Sequence, residues 1–193
     1  MNIRDLLRSN IKNFKAYSSA RDEYSGKDGI FIDANENALG SVSNTVFNRY
    51  PDPYQKEVKK KISALKNVMF EQVFIGNGSD EAIDLLYRAF CEPRSDKVIL
   101  LSPTYGMYSV CANLNDVGII NVPLTADFQI DLNNVLDKLS QAKMIFICSP
   151  NNPSANLMKD EHIKSILKAF NAKALLFGMP FSLGRKQYAV LVI

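Results

Sequence analysis

The stretch FICSPNNPSANL, from Phe146 to Leu157, decides the fold because it shows how one strand ends. Its apolar start is typical of a buried β-strand, and the Ser-Pro-Asn-Asn-Pro that follows is typical of a strand leaving its sheet. Two prolines stiffen this exit, and an asparagine fixed between Asn151 and Pro153 could present its amide to a ligand. An ordinary Asn-Pro turn explains the same residues about equally well. The stretch alone therefore predicts a strand exit and leaves the role of Asn152 open.

Similar apolar runs recur along the chain and alternate with amphipathic helical patterns, one beginning at Ala82 and another at Ile163. The predicted strands are Val73–Gly76, Lys97–Leu101, Val117–Val122, Lys143–Cys148 and Lys173–Phe177. Most of these runs are continuously apolar, as in strands that are covered on both faces. The alternation of strands and helices predicts an α/β layered domain with a mainly parallel sheet.

The residues that follow each strand are the candidate site, since ligands of such sheets bind beyond the carboxyl ends of the strands. After the first strand the chain reads Gly-Asn-Gly-Ser-Asp and a helix begins, a pattern that can bind an anion through backbone N–H groups. A plain helix cap by Ser79 explains it slightly better, because the carboxylates of Asp80 and Glu81 would repel an anion. After the second strand, Tyr105 could offer its ring to a planar ligand, but packing at the start of the following helix explains it better.

Composition and charge argue against several other functions. The chain has 193 residues, 47% of them hydrophobic, and a net charge of +3 that is thinly spread, so nucleic acid is a weak candidate partner. Three cysteines (Cys91, Cys111 and Cys148) form no Cys-x-x-Cys pair and suit a reducing cytoplasm. The polar N-terminus and the lack of a long apolar run predict neither a signal peptide nor a membrane span. The sole histidine, His162, has no partner for a metal site.

Taken together, the three strand exits resemble the large domain of fold-type I pyridoxal-phosphate aminotransferases, and within that group the histidinol-phosphate aminotransferase family. The matching stretches are AYSSAR (Ala16–Arg21), DANEN (Asp33–Asn37), RYPDP (Arg49–Pro53), GNGSDEAIDLLYRAF, SPTYGMYSV and CSPNNPSANL. The resemblance runs from about residue 10 to about residue 177. It implies an incomplete three-layer domain, pyridoxal 5'-phosphate as cofactor, and transfer of an amino group between L-histidinol phosphate and 2-oxoglutarate (with glutamate as its aminated form) in a cytoplasmic homodimer of histidine biosynthesis.

The resemblance also implies roles for particular residues. Gly78, Ser79 and Asp80 match the turn whose backbone N–H groups hold the cofactor phosphate. Tyr105 matches the aromatic residue that stacks on the pyridine ring. Asn152 matches the asparagine that hydrogen-bonds the 3-hydroxyl oxygen of that ring.

Two tyrosines nearer the N-terminus complete this implied site. Tyr50 matches a tyrosine that reaches across a dimer interface to the partner subunit's cofactor phosphate, and Tyr17 matches a residue at the imidazole end of the substrate. We therefore expect a symmetric homodimer with shared sites.

The chain departs from the family pattern mainly after Lys173–Phe177, where the family has Asp-Glu-Ala-Tyr and this chain reads GMPFSLGRKQYAVLVI. The aspartate that pairs with the pyridine nitrogen, the Schiff-base lysine and the arginines that bind the substrate phosphate have no counterpart, so no catalytic residue is assigned. Two Ser-x-x-Lys spacings, Ser140…Lys143 and Ser165…Lys168, look like coincidences. A milder change is NNPSA in place of NNPTG.

The sequence therefore predicts an N-terminal arm over residues 1–28, a partial large domain over 29–177 and an aberrant tail over 178–193, with the C-terminal small domain absent. We expect such a truncated chain to bind pyridoxal phosphate at most weakly and to be inactive alone. A non-catalytic remnant that keeps the phosphate pocket is the alternative. An unrelated doubly wound nucleotide-binding protein is disfavoured, because the chain has no Gly-x-Gly-x-x-Gly before a first helix and no P-loop lysine.

Overall fold

The computed structural model describes residues 3–18, 29, 30, 32, 34–170, 174–177 and 188–192. The chain divides into two compact units, the first formed by Met1–Asn13 with Gly76–Ile193 and the second by Phe14–Ile75. The α-helices are α1 (Ser9–Lys12), α2 (Lys56–Lys66), α3 (Gly78–Phe90), α4 (Met107–Leu114), α5 (Leu132–Lys138) and α6 (Asp160–Ala169). Short 3-10 helices cover Ile3–Leu6, Phe70–Gln72 and Leu139–Gln141.

A five-stranded sheet organises the first unit. Its strands are β1 (Lys97–Ser102), β2 (Gly118–Pro123), β3 (Met144–Ser149), β4 (Ala174–Phe177) and β5 (Tyr188–Val192), in the order β2-β1-β3-β5-β4. Strand β1 pairs in parallel with β2 along its whole length and with β3 over three residue pairs, the last being Leu100 with Phe146. Strand β5 runs antiparallel between β3 and β4. The α/β prediction is confirmed, and β1, β2 and β3 have the parallel arrangement that it implies.

Helices cover both faces of the sheet and give the unit three layers. On β1, Val98 and Leu100 point to one face while Ile99 and Leu101 point to the other, because successive strand side chains alternate. The first face is covered by α3 and α4, and the buried residues there include Ile83, Tyr87, Phe90, Tyr108, Cys111, Met144 and Phe146. The second face is covered by α5 and α6, and the buried residues there include Val122, Val135, Ile145, Ile147, Met158 and Ile166. Burial on both sides explains why β1 and β3 are continuously apolar.

Three predicted strands are confirmed to within one residue at each end: Lys97–Leu101, Val117–Val122 and Lys143–Cys148. The predicted strand Lys173–Phe177 is confirmed over its described residues, Ala174–Phe177, as β4. The predicted strand Val73–Gly76 is wrong. Val73 has an extended backbone, with φ −101° and ψ 120°, but this segment has no strand partner among the described residues. Since a strand exists only through hydrogen bonds to a neighbour, an apolar run is insufficient by itself.

The tail contains a strand that the sequence analysis did not predict. Tyr188–Val192 forms β5 and inserts between β3 and β4, which makes that side of the sheet antiparallel. Its sequence YAVLV is a short apolar run rich in β-branched residues, a pattern typical of strands.

The second unit has little regular structure among its described residues. Helix α2 begins just after Asp52, whose carboxylate accepts hydrogen bonds from the N–H groups of Tyr54 (2.9 Å) and Lys56 (3.0 Å). These bonds stabilise the charged form and lower the pKa of Asp52. No described residue of the unit is buried, and large apolar side chains such as Leu39 and Val42 are almost fully exposed.

Candidate functional site

Helix α3 begins with backbone donors that no described residue uses. Gly78 has φ +81°, in the left-handed region that favours glycine, and a Cβ built there would meet no atom within 4 Å. Its N–H donates to the carbonyl of Gly76 at 2.9 Å. The N–H groups of Ser79 and Asp80 have no acceptor within the part of the chain that the structure describes, as is usual in a first helical turn. Both donors lie at the positive end of a 13-residue helix, an arrangement that favours an anion.

The carboxylates beside this turn are each engaged by a donor. Glu81 accepts a hydrogen bond from the N–H of Asn77. Asp80 Oδ1 accepts one from the hydroxyl of Tyr105 at 2.9 Å and a longer one from Ser79 Oγ at 3.4 Å. These bonds offset part of the negative charge that, from sequence, argued against an anion at this turn.

Tyr105 lies where β1 ends, half-buried between two groups that orient it. Its hydroxyl donates to Asp80, and its ring makes an edge contact with Tyr108, with centroids 5.6 Å apart and planes at 87°. Tyr108 in turn stacks on Phe146 of β3 at 4.8 Å. The hydrogen bond to Asp80, together with burial, raises the pKa of Tyr105, so its hydroxyl keeps its proton to a higher pH than that of a free tyrosine.

The two asparagines that follow β3 have different surroundings. Asn151 is 3% exposed, and its Nδ2 donates to the carbonyl of Pro103 (2.9 Å) and to Ser154 Oγ (2.8 Å). Its Oδ1 accepts a hydrogen bond from the Thr104 hydroxyl at 3.0 Å. Asn152 is exposed, and no described residue hydrogen-bonds its side chain. The first amide therefore holds the loop, while the second is open to a ligand.

Further hydrogen bonds close the loop from Pro150 to Leu157. The backbone of Asn151 donates to the carbonyl of Asn156 (2.8 Å) and accepts from the N–H of Ala155 (2.6 Å). At the end of the loop, Ser149 Oγ accepts from the N–H of Met158 at 3.0 Å. The loop therefore has an internal framework that is independent of any ligand.

Tyr17 and Tyr50, the remaining predicted site residues, lie in the second unit and are 90% and 62% exposed. The backbone N–H of Tyr50 donates to Glu36 Oε1 at 2.7 Å, and Arg49 Nη1 contacts Glu36 Oε2 at 2.8 Å. The Glu36 side chain is only 4% exposed. Glu36 therefore joins the DANEN and RYPDP stretches, which the sequence analysis had noted separately.

The structure thus links three of the predicted residues through their loops. Asp80 contacts Tyr105 directly, and Thr104, next to Tyr105, contacts the residue that precedes Asn152. Sequence reasoning missed Thr104 and Glu36 as supports of the site. For Thr104 the available signal was its position beside Tyr105, whereas Glu36 is 14 positions from Tyr50 and no local signal joined the two; only the fold identifies the partners.

The two Ser-x-x-Lys spacings lie elsewhere in the structure. Lys143 precedes β3, so the strand separates it from the exit at Ser149 by about 20 Å at 3.3 Å per residue. Ser165 and Lys168 lie in α6, where Ser165 Oγ donates to the carbonyl of Glu161.

The described residues hold no cluster of metal-ligating side chains. In the same part of the chain, no helix combines the length and apolar character needed to span a bilayer.

Comparison with known proteins identifies a family for this chain. The family model for aminotransferase class I and II matches residues 21–177. The histidinol-phosphate aminotransferase of Cytophaga hutchinsonii is 58% identical over 167 residues, which cover 86% of this chain and 48% of that protein. The corresponding protein of Flavobacterium psychrophilum is 46% identical over 178 residues, covering 91% of this chain and 50% of that protein. The chain therefore spans about half the length of the curated relatives that it matches.

Solved structures support the same family. The histidinol-phosphate aminotransferase of Clostridium acetobutylicum is 25% identical with a TM-score of 0.54, over 62% of this chain and 34% of that one. The enzyme of Sinorhizobium meliloti in complex with pyridoxal-5'-phosphate is 18% identical with a TM-score of 0.57, over 63% of this chain and 33% of that one, a likeness of fold alone. With the family model covering most of its length, the chain belongs to the aminotransferase class I and II family.

Proposed function

We propose that this chain provides the phosphate and ring side of a pyridoxal-phosphate site in a histidinol-phosphate aminotransferase. The reaction would transfer an amino group between L-histidinol phosphate and 2-oxoglutarate in histidine biosynthesis. The observation that carries the proposal is a pair of N–H donors, on Ser79 and Asp80, for which the described residues provide no acceptor. They are linked through Tyr105 and Thr104 to the loop that bears Asn152.

The residues at the strand ends fit the chemistry of this cofactor. A phosphate monoester is an anion, and the start of α3 offers it two backbone donors and the positive end of a helix dipole. Gly78 leaves open space where a side chain would begin. The exposed amide of Asn152 can donate to an oxygen on an aromatic ring, and Tyr105 supplies an aromatic face.

When bound, pyridoxal phosphate supplies the aldehyde that carries the amino group and the ring that withdraws electrons. The role of this chain is to hold and orient that group. Ser79 and Asp80 would donate N–H groups to the phosphate, Asn152 would donate to the 3-hydroxyl oxygen, and Tyr105 would pack against the ring. Because Asp80 accepts a hydrogen bond from the Tyr105 hydroxyl, the tyrosine ring keeps one orientation.

We also propose that the working form is a cytoplasmic homodimer in which Tyr50 reaches the partner subunit's cofactor phosphate and Tyr17 the imidazole end of the substrate. Large apolar side chains of the second unit that are almost fully exposed, such as Leu39 and Val42, support a partner that covers them. The exposed rings of Tyr17 and Tyr50 are accessible to such a partner. Three free thiols agree with a reducing compartment.

The proposal is tested by cofactor binding and by turnover. We expect the 193-residue chain to bind pyridoxal phosphate weakly and Tyr105→Ala to weaken that binding further, because the substitution removes the ring contact. Alone, the chain should not transaminate histidinol phosphate with 2-oxoglutarate, because Lys143, Lys168 and their serines lie away from the strand exits. Adding the second half of the Cytophaga hutchinsonii relative should restore turnover. Failure of the wild-type chain to bind pyridoxal phosphate would refute the proposed site.

A second candidate, a non-catalytic module that binds pyridoxal phosphate, is favoured by the position of those same lysines. It predicts binding without turnover, even when the second half of a relative is supplied. Borohydride reduction of the 193-residue chain by itself, in the presence of pyridoxal phosphate, tests both proposals. Covalent attachment of the cofactor to one specific lysine would show that the chain contains its own covalent site, contrary to both.

A further inference from the structure

We infer that the hydrogen bond between Thr104 and Asn151 is the positioning device that sets the spacing between the Tyr105 ring and the Asn152 amide. This inference rests on the proposed function, since it concerns the two residues proposed to contact the cofactor ring. Neither Thr104 nor Asn151 would touch the cofactor itself.

The need for such a device follows from the sheet. Tyr105 and Asn152 lie on different loops, one following β1 and the other following β3. The parallel pairing of these strands ends at Leu100 and Phe146, before either loop begins. Beyond that point β3 is paired on its other side, with β5. The backbone ladder therefore does not hold the two exits together.

The side chain of Asn151 bridges the two exits instead. Its Nδ2 donates to the carbonyl of Pro103 at 2.9 Å, and its Oδ1 accepts from the hydroxyl of Thr104 at 3.0 Å. Both partners belong to the loop after β1, and Tyr105 is the next residue along that loop. The third bond, from Nδ2 to Ser154 Oγ at 2.8 Å, fixes the amide to its own loop.

The orientation of this amide is determined by its surroundings. The Pro103 carbonyl can only accept, so the NH₂ group of Asn151 must face it. The oxygen of the amide then faces the Thr104 hydroxyl, which is its donor among the described residues. Because Asn151 is 3% exposed, water cannot readily replace that donor. Loss of the Thr104 hydroxyl would leave a buried acceptor unpaired and would favour separation of the two loops.

The experiment compares two ligands on the wild-type chain, Thr104→Val and Thr104→Ser. Pyridoxine 5'-phosphate has the ring and the phosphate but no aldehyde, so it cannot react with surface lysines. Inorganic phosphate has only the anion. We expect Thr104→Val to weaken the binding of pyridoxine phosphate about tenfold, because a smaller fraction of protein molecules then holds Tyr105 and Asn152 at the spacing that the ring needs. Binding of inorganic phosphate should be unchanged, because it does not use that spacing. Thr104→Ser, which keeps the hydroxyl, should restore the wild-type affinity.

A ligand-free measurement separates this inference from the proposed function. In Thr104→Val, the amides of Asn151 and Ala155, whose acceptors lie within the loop, should exchange hydrogen faster than in wild type and in Thr104→Ser. Unchanged exchange, or an equal loss of affinity for both ligands, would overturn the positioning role. If the wild-type chain bound neither ligand, the proposed function would fail, while the exchange rates would still decide whether Thr104 fastens the loop.

Discussion

Substitution of Ala155 by glycine should stabilise the chain, although glycine usually destabilises a folded protein. Ala155 has φ +59°, a left-handed conformation in which an L side chain crowds the following carbonyl. The residue is exposed, and its N–H donates to the carbonyl of Asn151 at 2.6 Å, a bond that glycine can also make. The substitution therefore removes backbone strain without removing a buried contact.

The magnitude follows from two opposing terms. Relief of the left-handed conformation contributes about 1–2 kcal/mol to the free energy of unfolding. The greater freedom of glycine in the unfolded chain subtracts about 0.5–1 kcal/mol. The two terms leave a net gain of about 0–1.5 kcal/mol, with a central value of about 0.75 kcal/mol. Ala126 is a matched control, because it is also exposed in a loop of the same unit but does not have a positive φ. Ala126→Gly should therefore lose about 0.5–1 kcal/mol.

Urea denaturation followed by circular dichroism measures both variants against wild type. Since the unfolded-state term is common to the two substitutions, the difference between their free energies of unfolding isolates the strain at Ala155. That difference should be about 1–2 kcal/mol. If Ala155→Gly destabilised the chain as much as Ala126→Gly, the left-handed strain would be absent and the reasoning refuted.

Three further predictions concern other parts of the molecule. Gly78→Ala should cost about 1 kcal/mol of stability in the same urea assay through backbone strain alone, because its Cβ would meet no atom within 4 Å; a much larger loss would reveal a steric clash. Glu36→Ala should speed hydrogen exchange at the Tyr50 amide about tenfold, because that N–H loses its acceptor, and an unchanged rate would contradict this. Burial raises the pKa of the Cys91 thiol from 9.0 to about 12, so its contribution to stability is complete below pH 9 and is lost as pH rises toward 12. Between pH 9 and 11 the free energy of unfolding of the wild-type chain, measured by urea titration, should fall by about 2 kcal/mol more than that of Cys91→Ala. If the free energies of the two proteins fell in parallel with pH, this linkage would be excluded.

The sheet shows what local sequence can predict. The runs that became β1 and β3 are apolar at successive positions, and the structure buries them on both faces. Val73–Gly76 looks similar in sequence but has no strand partner among the described residues, whereas Tyr188–Val192 gained two. An apolar run records the tendency of a segment to be buried. Whether it becomes a strand depends on a backbone neighbour that local sequence does not specify.

The same distinction applies to the candidate site. Glycines, prolines and a helix start are local signals that indicated the strand exits, and the family resemblance then selected Ser79, Tyr105 and Asn152. Local signals could not identify the hydrogen bonds that hold these residues in place. The contacts of Asp80 with Tyr105 and of Thr104 with Asn151 join residues that are 25 and 47 positions apart.

Local residues thus determined which segments tend to be buried and where along the chain the candidate ligand-binding residues lie. Only the tertiary structure decided that Asn151 is buried and hydrogen-bonds two loops together, while its neighbour Asn152 is exposed. The reason is that the burial and hydrogen bonding of a polar side chain depend on which distant backbone groups the fold brings beside it.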